Sequence, residues 1–496
     1  MNPLKKLAGQ TAVYGLGTIV PRLLNYLLVP LYTRLFLGDE YGIITELYAY
    51  IAFFFVLLLY GMETSFFRHA EKSDNPKKVF TTTLLSVFVT SIIFVSLVFL
   101  FIDTISGFIK YEDHQDLILY SALIVGIDAF TAIQFAFLRQ QNKAFKFSLI
   151  RIITVSVNVG LNLYFIWFCE SLYKSNPDSP FLILYNPEIR IGYVFISNLV
   201  ASILAVVLLS PQLFKNRIVL DIKLLKQMFI YAFPLLIVGL AGMINEVSDK
   251  IIFKYLAKVP EGIVDADKYI MGQLGIYGAN YKLAVLMTLF IQMFRYAAEP
   301  FFFSQAKEPN AKQVYADVMK YFVIFGLLIF LSVTLYIDIF KYFIGPEFWE
   351  GLFIVPIVLL ANLFLGIFFN LSVWYKLNDI TKYGAIIALV GSVVTIILNL
   401  LLVPKFGYIG AAWGHLACYF TMIVISFFLG RKYFPVKYDL KKIFFYITLA
   451  LVIFGISHLV DIEEKGYKFL INSFLIIIFL GIVYYNEKSY FTKSSN

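Results

Sequence analysis

Five basic side chains sit within stretches of sequence that are otherwise apolar: Arg22, Arg151, Lys250, Lys282 and Arg295. Four acids share such stretches: Glu46, Asp128, Glu246 and Asp249. A charge near the centre of a membrane helix costs roughly 2.5–3.5 kcal/mol on insertion scales, so each needs water, a counter-charge or a ligand. Arg22 directly follows Pro21, and Pro30 lies further along the same run. Proline breaks are tolerated where a helix lines a cavity or packs on protein, which makes Arg22 the foremost candidate for a substrate path. Arg151 and Arg295 lie nearer the ends of their runs, where long basic side chains also snorkel to the interface; both readings stand. Glu246, Asp249 and Lys250 fall at i, i+3 and i+4 on one helix face, either as a local salt-bridge set or as a gating or ion-coupling group. Asp128, a lone carboxylate, is either a protonation site or a packing residue satisfied by a partner. The surplus of bases, Lys282 included, suits an anionic ligand, and arginine offers phosphate oxygens a planar, bidentate fork. A lipid with a pyrophosphate head fits that chemistry, its head in a cleft and its tail left in the bilayer.

The elements that must hold these residues are set by composition. The chain has 496 residues, 60% of them hydrophobic and 15% charged, with a mean hydropathy of +0.80. Soluble globular chains carry about 25% charged residues, so this chain must turn much of its surface to lipid. Runs of about 20 apolar residues, enough to cross a bilayer, recur over 11–35, 41–61, 80–102, 117–138, 147–169, 190–210, 228–250, 272–298, 317–338, 351–373, 383–403, 407–429, 442–460 and 468–485. This predicts an all-α polytopic membrane protein with fourteen spans. With that count, 25 Lys and Arg fall on the connections of one side and 11 on the other. The basic side is the cytoplasmic one, so both termini are expected there. The net charge of +9 is the same bias, not a nucleic-acid footprint. The start, MNPLKKLAGQ, runs into too long an apolar stretch for a signal peptide and reads as an uncleaved first helix. Cys169 and Cys418, each in an apolar run, read as packing residues.

One phrase occurs twice. YGIITELYAYIAFFFVLLLYGMETSFFRHAEK from Tyr41 and YGANYKLAVLMTLFIQMFRYAAEPFFFSQAKE from Tyr277 share 9 of 32 positions at an offset of 236. At an offset of 237, Leu161-Asn162-Leu163 returns as Leu398-Asn399-Leu400, and Arg139 meets Lys376. Six spans separate the copies, an even number, so both halves run in the same direction: a parallel repeat about an axis along the membrane normal. The expected organisation is a six-helix bundle over 1–225, a second over 226–432, and an extra helix pair with a tail over 433–496. Transporters of such construction bind substrate in a central cleft between the halves.

Catalytic patterns are absent from the sequence. It has no HExxH, P-loop or GxSxG, and Gly15-Leu-Gly17 lacks the third glycine of a dinucleotide site. His69, His114, His415 and His458 are too scattered for a metal cluster. The longest connections on the outer side, near 171–190 and 251–271, are too short for an external catalytic domain. The expectation is therefore a transporter and not an enzyme. It needs no cofactor and is driven by substrate flow or by a Na+ or H+ gradient.

LGDEYG (37–42), GMETSFFRHAEK (61–72), LGIYGANYKLAVLMTLFIQMFRYAAEPFFFSQAK (274–307) and LNLLLVPKFGYIGAAWGHL (398–416) resemble the Wzx-type polysaccharide flippases of the multidrug/oligosaccharidyl-lipid/polysaccharide exporter superfamily. The likeness runs over nearly the whole chain. It implies fourteen helices as six plus six plus two, in a V-shaped pair of bundles with a basic central cavity worked by alternating access. It implies a substrate as well: undecaprenyl-pyrophosphate-linked oligosaccharide, carried from the cytoplasmic to the periplasmic face of a bacterial inner membrane. The products served would be lipopolysaccharide O-antigen, capsule or exopolysaccharide, with a polysaccharide polymerase and a chain-length regulator as partners beside the membrane lipids. Arg22, Arg151, Lys282 and Arg295 are this chain's candidates for the cavity. A drug or small-molecule exporter of the same superfamily and a membrane polymerase or glycosyltransferase are the alternative readings.

Overall fold

The computed structural model describes residues 15, 17–214, 219–306, 308–378, 380–459 and 464–493. Among them no strand occurs, as expected for a chain whose backbone must satisfy its own hydrogen bonds in lipid. The first expected span, α1, is described only in part: residues 17–26 are helical and Val29–Leu35 forms a second short helix. The break at Leu27–Leu28 precedes Pro30, which has no N–H to continue the ladder.

Among the described residues, twelve further helices are long and apolar enough to span a membrane, or thirteen spans if a bent pair is counted as one. They are α2 (Gly38–Lys72), α3 (Pro76–Leu100), α4 (Glu112–Gln140), α5 (Ala144–Ser175), α6 (Gly192–Leu213), α7 (Ile222–Leu256), the bent pair α8 (Ala266–Leu283 and Val285–Gln305), α9 (Ala311–Leu335), α10 (Pro346–Leu377), α11 (Lys382–Phe406), α12 (Tyr408–Tyr433), α13 (Leu440–Leu459) and α14 (Gly466–Lys488). Each falls on one of the expected apolar runs. The difference is α8, expected as one continuous span and bent here by 49°. The bend centres on Ala284, where Ala284 N–H donates to Tyr281 O and Met287 N–H to Ala284 O, tight i→i+3 bonds that turn the axis. Neither proline nor glycine stands there, so the sequence carries no mark of it.

The chain packs as two compact units: residues up to Tyr255 with Val259–Gly275, and Leu256–Lys258 with Ile276 onward. In the first, Met62, Phe66, Phe80 and Phe137 are fully covered, and the Phe80 and Phe137 rings stack 4.0 Å apart. Helix association in lipid rests on close packing rather than on water release, so small residues decide where backbones meet. Gly61 breaks α2 with φ +74°, and a Cβ there would lie 2.6 Å from Ala232 O of α7. Ser65 Oγ donates to Met228 O one turn on. Thus α7 lies along α2 and belongs with the first unit.

In the second unit, α11 and α12 form a tight antiparallel hairpin. A Cβ on Gly410 would stand 2.5 Å from the Leu402 carbonyl group, so only glycine allows this approach. The appended pair α13–α14 is tied to α9 at both ends. Glu487, nearly fully buried, accepts from Lys320 Nζ (2.8 Å), Lys442 Nζ (2.8 Å) and Tyr446 OH (2.9 Å). At the other end Asn472 Nδ2 donates to Leu335 O (2.6 Å) and Lys468 pairs with Asp338 (2.7 Å). Hydrogen bonds from Lys341 and Lys468 hold the Asp338 carboxyl below the usual carboxylate range.

Candidate functional site

In the first unit α1, α4, α5 and α6 enclose a polar cavity of about 170 Å³. Asn25, Asp128, Arg151, Asn158, Asn198 and Ser202 contribute its polar lining. Ser202 Oγ donates to Asp128 Oδ1 at 2.7 Å, and Asn158 Nδ2 donates to Asn25 Oδ1 at 3.1 Å. The Arg151 guanidinium stacks 4.0 Å over the Phe135 ring, and Asp128 is near enough to act on its charge. A half-buried carboxylate ringed by hydroxyl and amide groups can take up a proton or a monovalent cation. An arginine fixed by an aromatic face keeps its donor edge for an anion.

Further charges lie near Arg151. Glu63, Arg139 and Arg22 also act on the charge of Arg151. Arg139 forms an ion pair with Glu63 and packs over the Phe67 ring at 4.9 Å. Arg22 is exposed, on the α1 helix that contributes Pro21 and Asn25 to the cavity wall. The first unit therefore brings Arg22, Arg151 and Asp128 together and adds Arg139 and Glu63. Those two stand out in the sequence only as repeat markers, and that signal could have placed them in the cluster.

The second unit repeats the ion pair at the matching register. Lys376 Nζ lies 2.6 Å from Glu299 Oε1, as Arg139 pairs with Glu63 in the first. Arg295 stands 4.0 Å from the same Glu299 and stacks 4.0 Å over Phe369, while Lys282 is exposed on the first half of α8. The repeated asparagines match as well. Asn162 and Asn399 are fully buried, and each donates to the carbonyl four residues back, Asn158 O and Thr395 O, at 2.8 Å.

The Glu246, Asp249 and Lys250 group forms a local set. Lys250 Nζ bonds Asp249 Oδ1 at 3.1 Å and the Glu246 carbonyl oxygen at 3.1 Å. One turn on, Lys254 reaches Glu46 at 3.2 Å, with both side chains buried. The sequence left Lys254 in a loop because its apolar run ends at 250; the structure carries α7 on to Leu256. No group of three or more His, Cys, Asp or Glu able to hold a metal occurs among the described residues.

These spans and their packing define the class: a polytopic membrane protein with a flippase and exporter fold. Over 96% of this chain and 99% of the other, it superposes on the lipid II flippase MurJ in an inward closed conformation, with a TM-score of 0.73 at 17% identity. An inward-facing multidrug resistance MATE family transporter of the MOP superfamily matches over 85% and 97%, with a TM-score of 0.61 at 13% identity. An outward-facing one matches over 87% and 96%, at 0.60 and 13%. At such identities the likeness is one of fold. A search of curated proteins finds no match. Residues 7–306, more than half of the chain, match the family described as polysaccharide biosynthesis protein, and the chain belongs to that family.

Proposed function

We propose that this protein carries undecaprenyl-pyrophosphate-linked oligosaccharide from the cytoplasmic to the periplasmic leaflet of a bacterial inner membrane by alternating access. The lipid serves surface polysaccharide assembly, as O-antigen, capsule or exopolysaccharide. The observation that carries this reading is Arg151, with Arg22 near it, at a polar cavity in a chain of the polysaccharide biosynthesis family. Arginines that outnumber their acids suit a diphosphate, whose oxygens accept paired N–H donors. A fold shared with a lipid II flippase supports the same reading.

Arg22, Arg151, Lys282 and Arg295 line the path of the head group in this reading. Asp128 exchanges a Na+ or H+ that couples transport, and the Glu246–Lys250 group moves with the gate. Both termini are cytoplasmic, and a polymerase and a chain-length regulator receive the product on the outer side. The test is deletion of the gene followed by extraction of lipids. Complete, undecaprenyl-pyrophosphate-linked repeat units should accumulate, facing the cytoplasm, and the wild-type gene should clear them. Normal lipid-linked pools with raised sensitivity to cationic drugs would instead favour an exporter of small molecules, the second reading that the MATE-like fold supports.

A further inference from the structure

The outer ends of α2, α7 and α8, in the orientation proposed above, meet within the first unit, and their contact has a physical feature that the transport site does not use. Glu46 on α2 is fully covered and Lys254 on α7 is nearly so; Lys254 Nζ lies 3.2 Å from Glu46 Oε2. Tyr111, which precedes α4, donates its OH to the same oxygen at 2.7 Å, and the Lys254 ammonium sits 4.0 Å over the Tyr111 ring. The Tyr50 hydroxyl, one turn further along α2, is another hydrogen-bond partner of this carboxylate. Next to this group α2 and α8 cross backbone to backbone. A Cβ on Gly42 would collide with the Met271 carbonyl oxygen, and one on Gly275 with the Gly38 carbonyl oxygen. At the rim Lys110 pairs with Asp267 at 3.3 Å.

By the sequence repeat, α2 belongs to the first half and α7 and α8 open the second. A buried ion pair is a poor weld, because drying two charges offsets much of their attraction. It is a good latch for the same reason. It holds while the seam excludes water and loses little when water enters and solvates both charges. Apolar residues of the same volume would pack the seam at least as well and would resist reopening.

We infer that Glu46, Lys254 and Tyr111 form a reversible outer latch: it is closed while the site faces the cytoplasm and released by hydration when the protein opens outward. The inference rests on the alternating-access reading. It is tested on the full-length chain with Cys169 and Cys418 changed to Ala and a reporter Leu274→Cys, a fully buried position beside the crossing. The rate of labelling by a membrane-impermeant maleimide added from outside is the readout.

Glu46→Gln or Lys254→Met leaves one buried charge unmatched and should speed labelling about tenfold or more, since the dry state alone is penalised. Glu46→Leu with Lys254→Leu should label no faster than the parent and should lower export, because the seam then stays shut. Single variants that label at the parent rate with normal abundance would overturn the latch. Should they fail to accumulate, Tyr111→Phe keeps both charges and removes one hydrogen bond; about threefold faster labelling supports the latch, and an unchanged rate refutes it. The readout is conformational and independent of cargo. Faster labelling in a protein whose deletion leaves lipid-linked glycans unchanged would keep the latch and remove the flippase reading. Unchanged labelling in a protein whose deletion makes lipid-linked glycans accumulate would do the reverse.

Discussion

At the scale of residues, the ionisable groups in the spans divide by what faces them. Arg139, Lys376 and Lys250 are matched by carboxylates at hydrogen-bonding distance, so their charges are largely spent within the fold. Arg151 is held by aromatic stacking and Arg22 stands exposed, which leaves both with donors for a ligand. If Arg22 contacts pyrophosphate, Arg22→Ala should remove most export at unchanged membrane abundance. Arg22→Lys, which keeps the charge and loses the fork, should retain part of it. Complementation of surface-polysaccharide export, normalised to the amount of protein in the membrane, separates the two. Full export by Arg22→Ala at normal abundance would take Arg22 out of the path and leave the cavity of Asp128 and Arg151 as the site.

The elements show how polar groups position apolar helices. The pair α13–α14 is largely exposed outside its contacts, yet Lys320, Lys442 and Tyr446 converge on one buried carboxylate. Glu487→Leu takes from Lys320 its closer carboxylate and leaves it Asp317 at 3.5 Å, so it should cost about 1–3 kcal/mol of local stability. The expected signs are loss of α14 protection in hydrogen exchange and early proteolysis after Gly430. The opposite end is weaker. Asp338 is part-exposed, so Asp338→Asn should cost no more than about 1 kcal/mol. Its carboxyl titrates below the usual range in the folded chain. The contribution is therefore complete above about pH 4, the unfolded value, and is lost as pH falls through the lower folded value. A melting series from pH 7 to pH 3 should show the wild type converging on Asp338→Asn.

At the scale of the whole molecule, the prediction concerns orientation. From the bias of 25 basic residues against 11, the connections 62–79 and 430–442 are predicted to lie in the cytoplasm. Single cysteines there should resist an impermeant maleimide in intact cells, and those in 103–116 and 171–190 should react. The reverse pattern would invert the direction of transport proposed here. The compact units also divide the chain later than the repeat does, because α7 packs along α2 through Gly61 and Ser65. Repeat and packing unit are different divisions. A helix that opens one repeat and packs on the other is well placed to carry motion between them.

Much of this was legible in the sequence because lipid imposes a simple rule. Each span must be apolar for about 20 residues, so thirteen of the fourteen expected runs coincide with observed spans, the first lying partly outside the described residues, and the repeat already paired Glu63 with Glu299 and Arg139 with Lys376. Side-chain partnership was not legible, because it depends on which helix faces meet. The Ser202 hydroxyl on Asp128, the Phe135 ring under Arg151 and the closure of Lys254 on Glu46 join residues far apart in the chain. The bend at Ala284 carries no proline or glycine for the same reason: it is set by packing in three dimensions. Hydropathy along one dimension marked the apolar runs that become helices, and only tertiary contact, which brings distant helix faces together, decided which of the chain's charges meet a counter-charge.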